Sequence, residues 1–335
     1  MAQRPRNRFV VWVSTLLAGI LLYLALRGIN WAVFFLYLQR ANYLYVVLIV
    51  IWGSAVSFLR ALRWRILLNS QKYIPPVNIF WANMAGYLGN TVLPARAGEF
   101  IRAAYVARME KISLAFVLAT GFTERLVDLA ALVIIGAASL FFVEAFPRPV
   151  QAALKSFAIV AIVGVIFIFL LPLFHEFIRR ILTALPFLGQ SLKSKLNEMI
   201  VHFLAGMQVI TRLERGSPFL LFTILIWLMD GIGTVVLALA LHETLTLAQA
   251  FLLIAALGLS SAIPSTPGYV GVYQFVAVTV LVPFGFARES ALALILISQS
   301  LNLLAVSFWG GIGLWIGSNS MSAARTKNTH GEFHD

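Results

Sequence analysis

Long apolar runs alternate with short basic or proline-containing segments along this chain. Phe9–Leu26, Tyr43–Leu62, Ser113–Val143, Phe157–Phe174, Pro218–Leu241 and Ser290–Gly317 are each close to the length that crosses hydrocarbon as one helix, about 20 residues. Two further apolar stretches, 80–104 and 248–283, are interrupted. The first contains Met84–Arg102, MAGYLGNTVLPARAGEFIR, and the second Leu257–Tyr273, LGLSSAIPSTPGYVGVY. Broken backbone at membrane depth persists only where protein buries it or where it lines a wet cavity. The pattern therefore predicts an all-α polytopic membrane protein with six full transmembrane helices and two re-entrant broken-helix hairpins.

Other segments read differently. Leu188, Leu192, Leu196, Met199, Phe203, Met207, Ile210 and Leu213 recur at steps of three and four, which predicts an interfacial amphipathic helix over 186–215. The polar stretch 319–335 is expected to be a disordered cytoplasmic tail, leaving residues 1–318 as a single transmembrane domain.

Composition agrees and narrows the classes. The chain has 335 residues, 61% hydrophobic and 11% charged, with mean hydropathy +0.91, a balance outside the range of soluble domains. The length is taken up by spans and short loops, so no soluble catalytic domain is expected. Net charge is +12, which in a soluble chain would suggest nucleic acid. Here the positive-inside rule and anionic headgroups account for it, and no nucleic-acid partner is expected. Arg4, Arg6, Arg8, Arg60, Arg63, Arg65, Lys72, Arg108, Lys111, Lys193, Lys195, Arg212 and Arg215 then fall on one side, against Arg27, Arg40, Arg148 and Arg288 on the other. This places both termini in the cytoplasm, in a multi-pass protein of the cell (inner) membrane.

The two interruptions resemble each other. Leu88-Gly89 precedes Pro94 and Gly98, and Leu257-Gly258 precedes Pro264 and Gly268. Three full crossings separate them, so the hairpins would enter from opposite faces as an inverted repeat, a pattern of secondary transporters.

Candidate chemistry collects at these breaks and beside them. Arg96, Glu99 and Arg102 follow Pro94 at steps of three, and a helix starting there would offer free N–H groups and a guanidinium fork to an anion. Glu124, Arg125 and Asp128 occupy consecutive turns in the middle of a span, where ionisable groups cost several kcal/mol unless paired or hydrated. Asp230 sits at similar depth and is a candidate partner for Arg125 or Arg96. The second break offers Ser265, Gly268 and Gly271, with Ser260, Ser261 and Thr266, flanked by Tyr269, Tyr273 and Gln274. All ten principal residues (Arg96, Glu99, Arg102, Glu124, Arg125, Asp128, Asp230, Ser265, Gly268, Gly271) are candidates for substrate binding. A purely structural charge network is the alternative, and the two are compatible. The chain has no cysteine, its five histidines fall in loops or the interface, and it lacks metal-ligand spacing and a GxSxG elbow. No catalytic, cofactor or metal site is expected.

At Pro94-Ala-Arg96-Ala-Gly98-Glu99 with Arg102, at Glu124-Arg125-x-x-Asp128 and at Pro267-Gly268-x-x-Gly271, the chain resembles a flippase-like membrane family. That family is typified by the N-terminal transmembrane domain of lysylphosphatidylglycerol synthase. Its pattern often has a second glycine after Pro-Gly and an acid a few residues later, where this chain has Tyr269 and Gln274. No soluble aminoacyl-transferase domain like the synthase's is expected. The resemblance implies a flippase for an anionic or aminoacylated phospholipid or a polyprenyl-linked glycan, with membrane lipids and a lipid-modifying synthase or glycosyltransferase as partners. Two alternatives are an integral-membrane transferase acting on a lipid-linked substrate, with Glu99 or Asp128 as base, and a non-transporting partner of such an enzyme.

Overall fold

The computed structural model describes residues 6–93, 97–143, 148–170, 213–261 and 267–331. The described residues form α-helices and short 3-10 turns, with no strand among them. Arg96 and Ser265 lie outside the described residues, as does nearly all of the expected interfacial helix at 186–215.

Helix α1 (Arg6–Leu26) ends at Gly28, whose φ of 79° halts the helix. Asn30 then caps α2 (Trp31–Arg40), its side chain accepting from the N–H groups of Ala32 and Val33. The axes of α1 and α2 differ by 84°. The apolar run continues through a sharp bend here, in a stretch that the sequence reading leaves as loop.

Helix α3 (Tyr43–Leu68) and α8 (Leu213–Ala240) pack antiparallel. The Asn42 N–H donates to Ala240 O at 2.7 Å, and Trp52 Nε1 donates to Met229 O at 2.9 Å. Between them in sequence come α4 (Pro76–Val92), α5 (Gly98–Glu110), α6 (Leu114–Phe142) and α7 (Arg148–Leu170). After α8 come α9 (Leu247–Ser260), a 3-10 turn at Pro267–Tyr269, α10 (Val272–Leu281) and α11 (Arg288–Gly331). Helix α11 carries on to Gly331 through most of the stretch expected as a disordered tail. Among the described residues, four segments are long and apolar enough to cross a membrane, Tyr43–Leu68, Leu114–Phe142, Glu214–Ala240 and Arg288–Gly317, and the bent pair Thr15–Leu26 with Trp31–Arg40 makes a fifth if it counts as one span.

Two helical hairpins organise the interior. In the first, α4 and α5 lie so close that a Cβ added at Gly98 would sit 1.9 Å from Gly86 O. Gly86 and Gly89 therefore serve helix docking, and α4 stays helical to Val92. Helix therefore covers most of Met84–Arg102, with α4 ending at Val92 and α5 starting at Gly98. In the second hairpin, α9 packs on α6, with Gly258 against Leu132 and Gly136 against Ala255.

Contacts along α11 order the two hairpins. Its first turns, Ala291–Ile295, share a core with Leu253, Leu281 and Phe286 at the base of the second hairpin. Gln299 then reaches Gly268 O, at that hairpin's tip. Further along, Gly310 meets Met84 O and Leu88, Gly313 meets Trp81 O, and Gly317 meets the Tyr105 ring. The first hairpin is thus met from its upper part toward its base, opposite to the second. The 3-10 turn at the second tip packs directly on α4. Tip faces tip.

Candidate functional site

Helix spacing assembles a closed ring of charges behind the hairpin tips. Glu124 and Asp128 lie four residues apart on α6, so both carboxylates reach one neighbour. That neighbour is Arg63 of α3, with Nη2 2.9 Å from Glu124 Oε1 and Nη1 2.6 Å from Asp128 Oδ1. Arg102 of α5 spans Glu124 (Nη1–Oε2 2.9 Å) and Glu99, one turn back on its own helix (Nε–Oε2 2.7 Å). Arg125 closes the circuit, reaching Glu99 Oε1 at 3.0 Å and Asp128 Oδ2 at 3.5 Å. Each arginine meets two carboxylates and each carboxylate two arginines, so three positive and three negative charges cancel.

The ring is built for burial. Arg63, Arg102, Glu124 and Asp128 are all buried. Desolvating such groups is offset only when partners are numerous and well placed. Aromatic faces add to this: the Arg102 guanidinium lies 4.4 Å from the Trp64 ring centre and that of Arg63 5.4 Å from Phe219. Asn83 Oδ1 accepts from Arg102 Nη1 at 3.2 Å.

A separate pair, Arg60 with Asp230, joins α3 to α8. It differs from the ring in being partly open, with side chains 20% and 25% exposed. Asp230 was expected to partner Arg125 or Arg96. Its partner is Arg60, because the antiparallel packing of α3 on α8 brings Arg60 alongside Asp230.

Both groups border a cavity of about 830 Å³ between the hairpins. Arg60, Asp230, Arg125 and Glu99 face it from α3, α8, α6 and α5. Tyr87, Asn90 and Thr91 line it from the first hairpin. Gly268, Tyr269, Tyr273 and Gln274 line it from the second, and Gln299, Ser300 and Asn302 from α11. Tyr269 and Tyr273 stack with ring centres 4.8 Å apart and planes within 9°.

A chain of amide hydrogen bonds holds the second tip. The Gly271 N–H donates to Gln274 Oε1 at 2.6 Å, Gln274 Nε2 donates to Gln299 Oε1, and Gln299 Nε2 donates to Gly268 O at 2.9 Å. Gly268 and Gly271 have φ of 70° and 89°, the left-handed region that glycine enters without strain. At Gly271 there is a further demand, since a Cβ would lie 2.1 Å from Ala18 O of α1.

The candidate residues thus separate. Glu99, Arg125, Asp230 and Gly268 line the cavity, while Arg102, Glu124 and Asp128 stand behind it in the ring. Gly271 serves the docking of α1. Sequence reasoning missed Arg60 and Arg63 by assigning them to a basic cytoplasmic segment. The available signal was their three-residue spacing among Ala61, Trp64, Leu67 and Leu68, a face that is buried.

Comparison with known proteins decides the family. The sequence model of the lysylphosphatidylglycerol synthase TM region matches residues 11–310. This chain belongs to that family. The chain is also similar to a UPF0104 membrane protein of Methanocaldococcus jannaschii, 22% identical over 235 residues, which span 68% of this chain and 93% of that protein. No solved structure matches the chain. It is a multi-pass membrane protein of that family.

Proposed function

We propose that this protein is a lipid transporter, moving an anionic or aminoacylated phospholipid or a polyprenyl-linked glycan between leaflets. The observation that carries the proposal is the polar, arginine-bearing cavity between the facing tips of two broken hairpins. On this reading the hairpins are re-entrant, the chain makes six full crossings with both termini in the cytoplasm of a cell membrane, and the two halves form an inverted repeat. Each hairpin then gates the cavity from one face, as in other transporters built on paired broken helices.

Arg60 is the arginine best placed to receive a phosphate. It faces the cavity and has one carboxylate partner, whereas Arg63, Arg102 and Arg125 each have two. A headgroup phosphate would displace Asp230 from Arg60, leaving a carboxylate unpaired at depth. Water already reaches that pair, and the freed Asp230 carboxylate can take a proton or meet an ammonium of the headgroup. The ring of Arg63, Arg102, Arg125, Glu99, Glu124 and Asp128 would remain as the rigid wall.

Reconstitution tests this. Wild-type protein in liposomes should exchange labelled phosphatidylglycerol, its lysyl ester or a polyprenyl phosphate between leaflets faster than empty liposomes, and Arg60→Gln should lose most of that excess. No exchange above empty liposomes for any of the three with correctly folded wild-type protein would refute the proposal.

A further inference from the structure

On the side of α10 away from the cavity lies a second pocket of about 620 Å³, between α10 and the end of α1. Tyr273 and Gln274 face the cavity, while Phe275, Val278, Thr279 and Val282 face this pocket. Leu24 and Ala25 close it from α1, and Arg27 and Arg288 stand at its edge. The walls are therefore apolar and the rim carries two positive charges.

The placement of those charges is selective. The sequence puts only four arginines in the loops at this end of the molecule, and two of them converge here. Arg288 is partly committed: its Nη2 donates to Leu24 O at 3.1 Å, capping the last turn of α1, while its Nε is buried without a partner. The Arg27 side chain is exposed. The neighbouring acid, Glu289, accepts from the Asn30 N–H at 2.8 Å and does not line the pocket. Tyr23 and Leu24 are 64% and 38% exposed on the same stretch of α1, as side chains facing lipid are.

We infer that this pocket binds an anionic phospholipid of the leaflet at this end, its phosphate held by Arg27 and Arg288 and an acyl chain lying along Leu24, Val278 and Val282. Basic pockets between membrane helices hold phospholipid headgroups by this combination of charge and apolar contact. The inference needs a membrane protein and does not depend on transport. Its consequence is nevertheless for the second hairpin, because α10 is the wall shared by this pocket and the cavity. A lipid seated here would fix α10 against α1.

Photo-crosslinking of the full-length protein tests it, using diazirine-bearing phosphatidylglycerol and phosphatidylcholine with peptide mapping. Phosphatidylglycerol should label peptides containing Leu24 and Val278–Pro283, and phosphatidylcholine should label them weakly. Arg27→Gln removes an exposed charge, so the fold is retained, and should weaken that labelling roughly tenfold. Arg27→Lys should keep much of it, and Arg60→Gln, in the other cavity, should leave it unchanged. Equal labelling by the two lipids, or labelling indifferent to Arg27→Gln, would overturn the assignment. So would inorganic phosphate retained by the wild type with no lipid adduct on these peptides, which would mark a site for free phosphate.

Discussion

Arg60 and Arg63 lie one turn apart on α3, yet their surroundings divide their roles. Arg63 is locked between Glu124 and Asp128 with no exposure. Removing it leaves Glu124 and Asp128 with one arginine each and an uncompensated negative charge in the buried ring, a loss of about 3–5 kcal/mol for a broken buried pair. Arg63→Ala should therefore lower the unfolding temperature in detergent markedly, with Glu124→Gln following in the same direction. Arg60→Gln opens a pair that water already reaches and should shift it little. If all three variants melt alike, the division between structural ring and cavity pair is wrong. This division was only partly legible in the sequence. Glu124, Arg125 and Asp128 announce themselves as charges inside an apolar span, as does Asp230. Arg60 and Arg63 do not, because they sit near more arginines at a helix end. Only the burial of Trp64, Leu67 and Leu68 around them reveals that α3 is still inside the bundle.

At the level of elements, the glycines explain how far sequence alone could go. Both interruptions were visible from Gly, Pro and polar residues in apolar context, and both are hairpins. The use of each glycine was not visible. Gly86 and Gly98 let α4 and α5 touch, whereas Gly268 and Gly271 supply a backbone conformation. The Leu-Gly and Pro-x-x-x-Gly similarity between the hairpins thus covers different physical demands. Arg27 and Gly28 mark the turn at the α1–α2 bend, but α2 itself was missed because its ten residues are too few to cross hydrocarbon. A graded outcome follows for substitutions. Gly98→Ala and Gly271→Ala place a Cβ within 1.9 Å and 2.1 Å of backbone oxygens and should each destabilise strongly. Gly268→Ala meets open space and should cost about 1 kcal/mol from its positive φ alone. Thermal unfolding of the three in one detergent checks the order, and Gly268→Ala being the worst would contradict the packing described.

For the whole molecule, the arrangement is two hairpins set tip to tip, with a neutralised ring of buried charge on one side and α11 alongside both. Such an arrangement puts a polar cavity between the tips while each hairpin base stays near one end. The proposed transport requires those ends to lie on opposite sides of a membrane. Because the chain has no cysteine, single substitutions report this directly. Ser113, exposed between α5 and α6, marks the base of the first hairpin, and Thr244, exposed between α8 and α9, marks that of the second. An impermeant maleimide applied to intact cells should label Thr244→Cys at once and Ser113→Cys only after the membrane is opened. Labelling of both from the same side would contradict opposed hairpins and, with them, alternating access to the cavity.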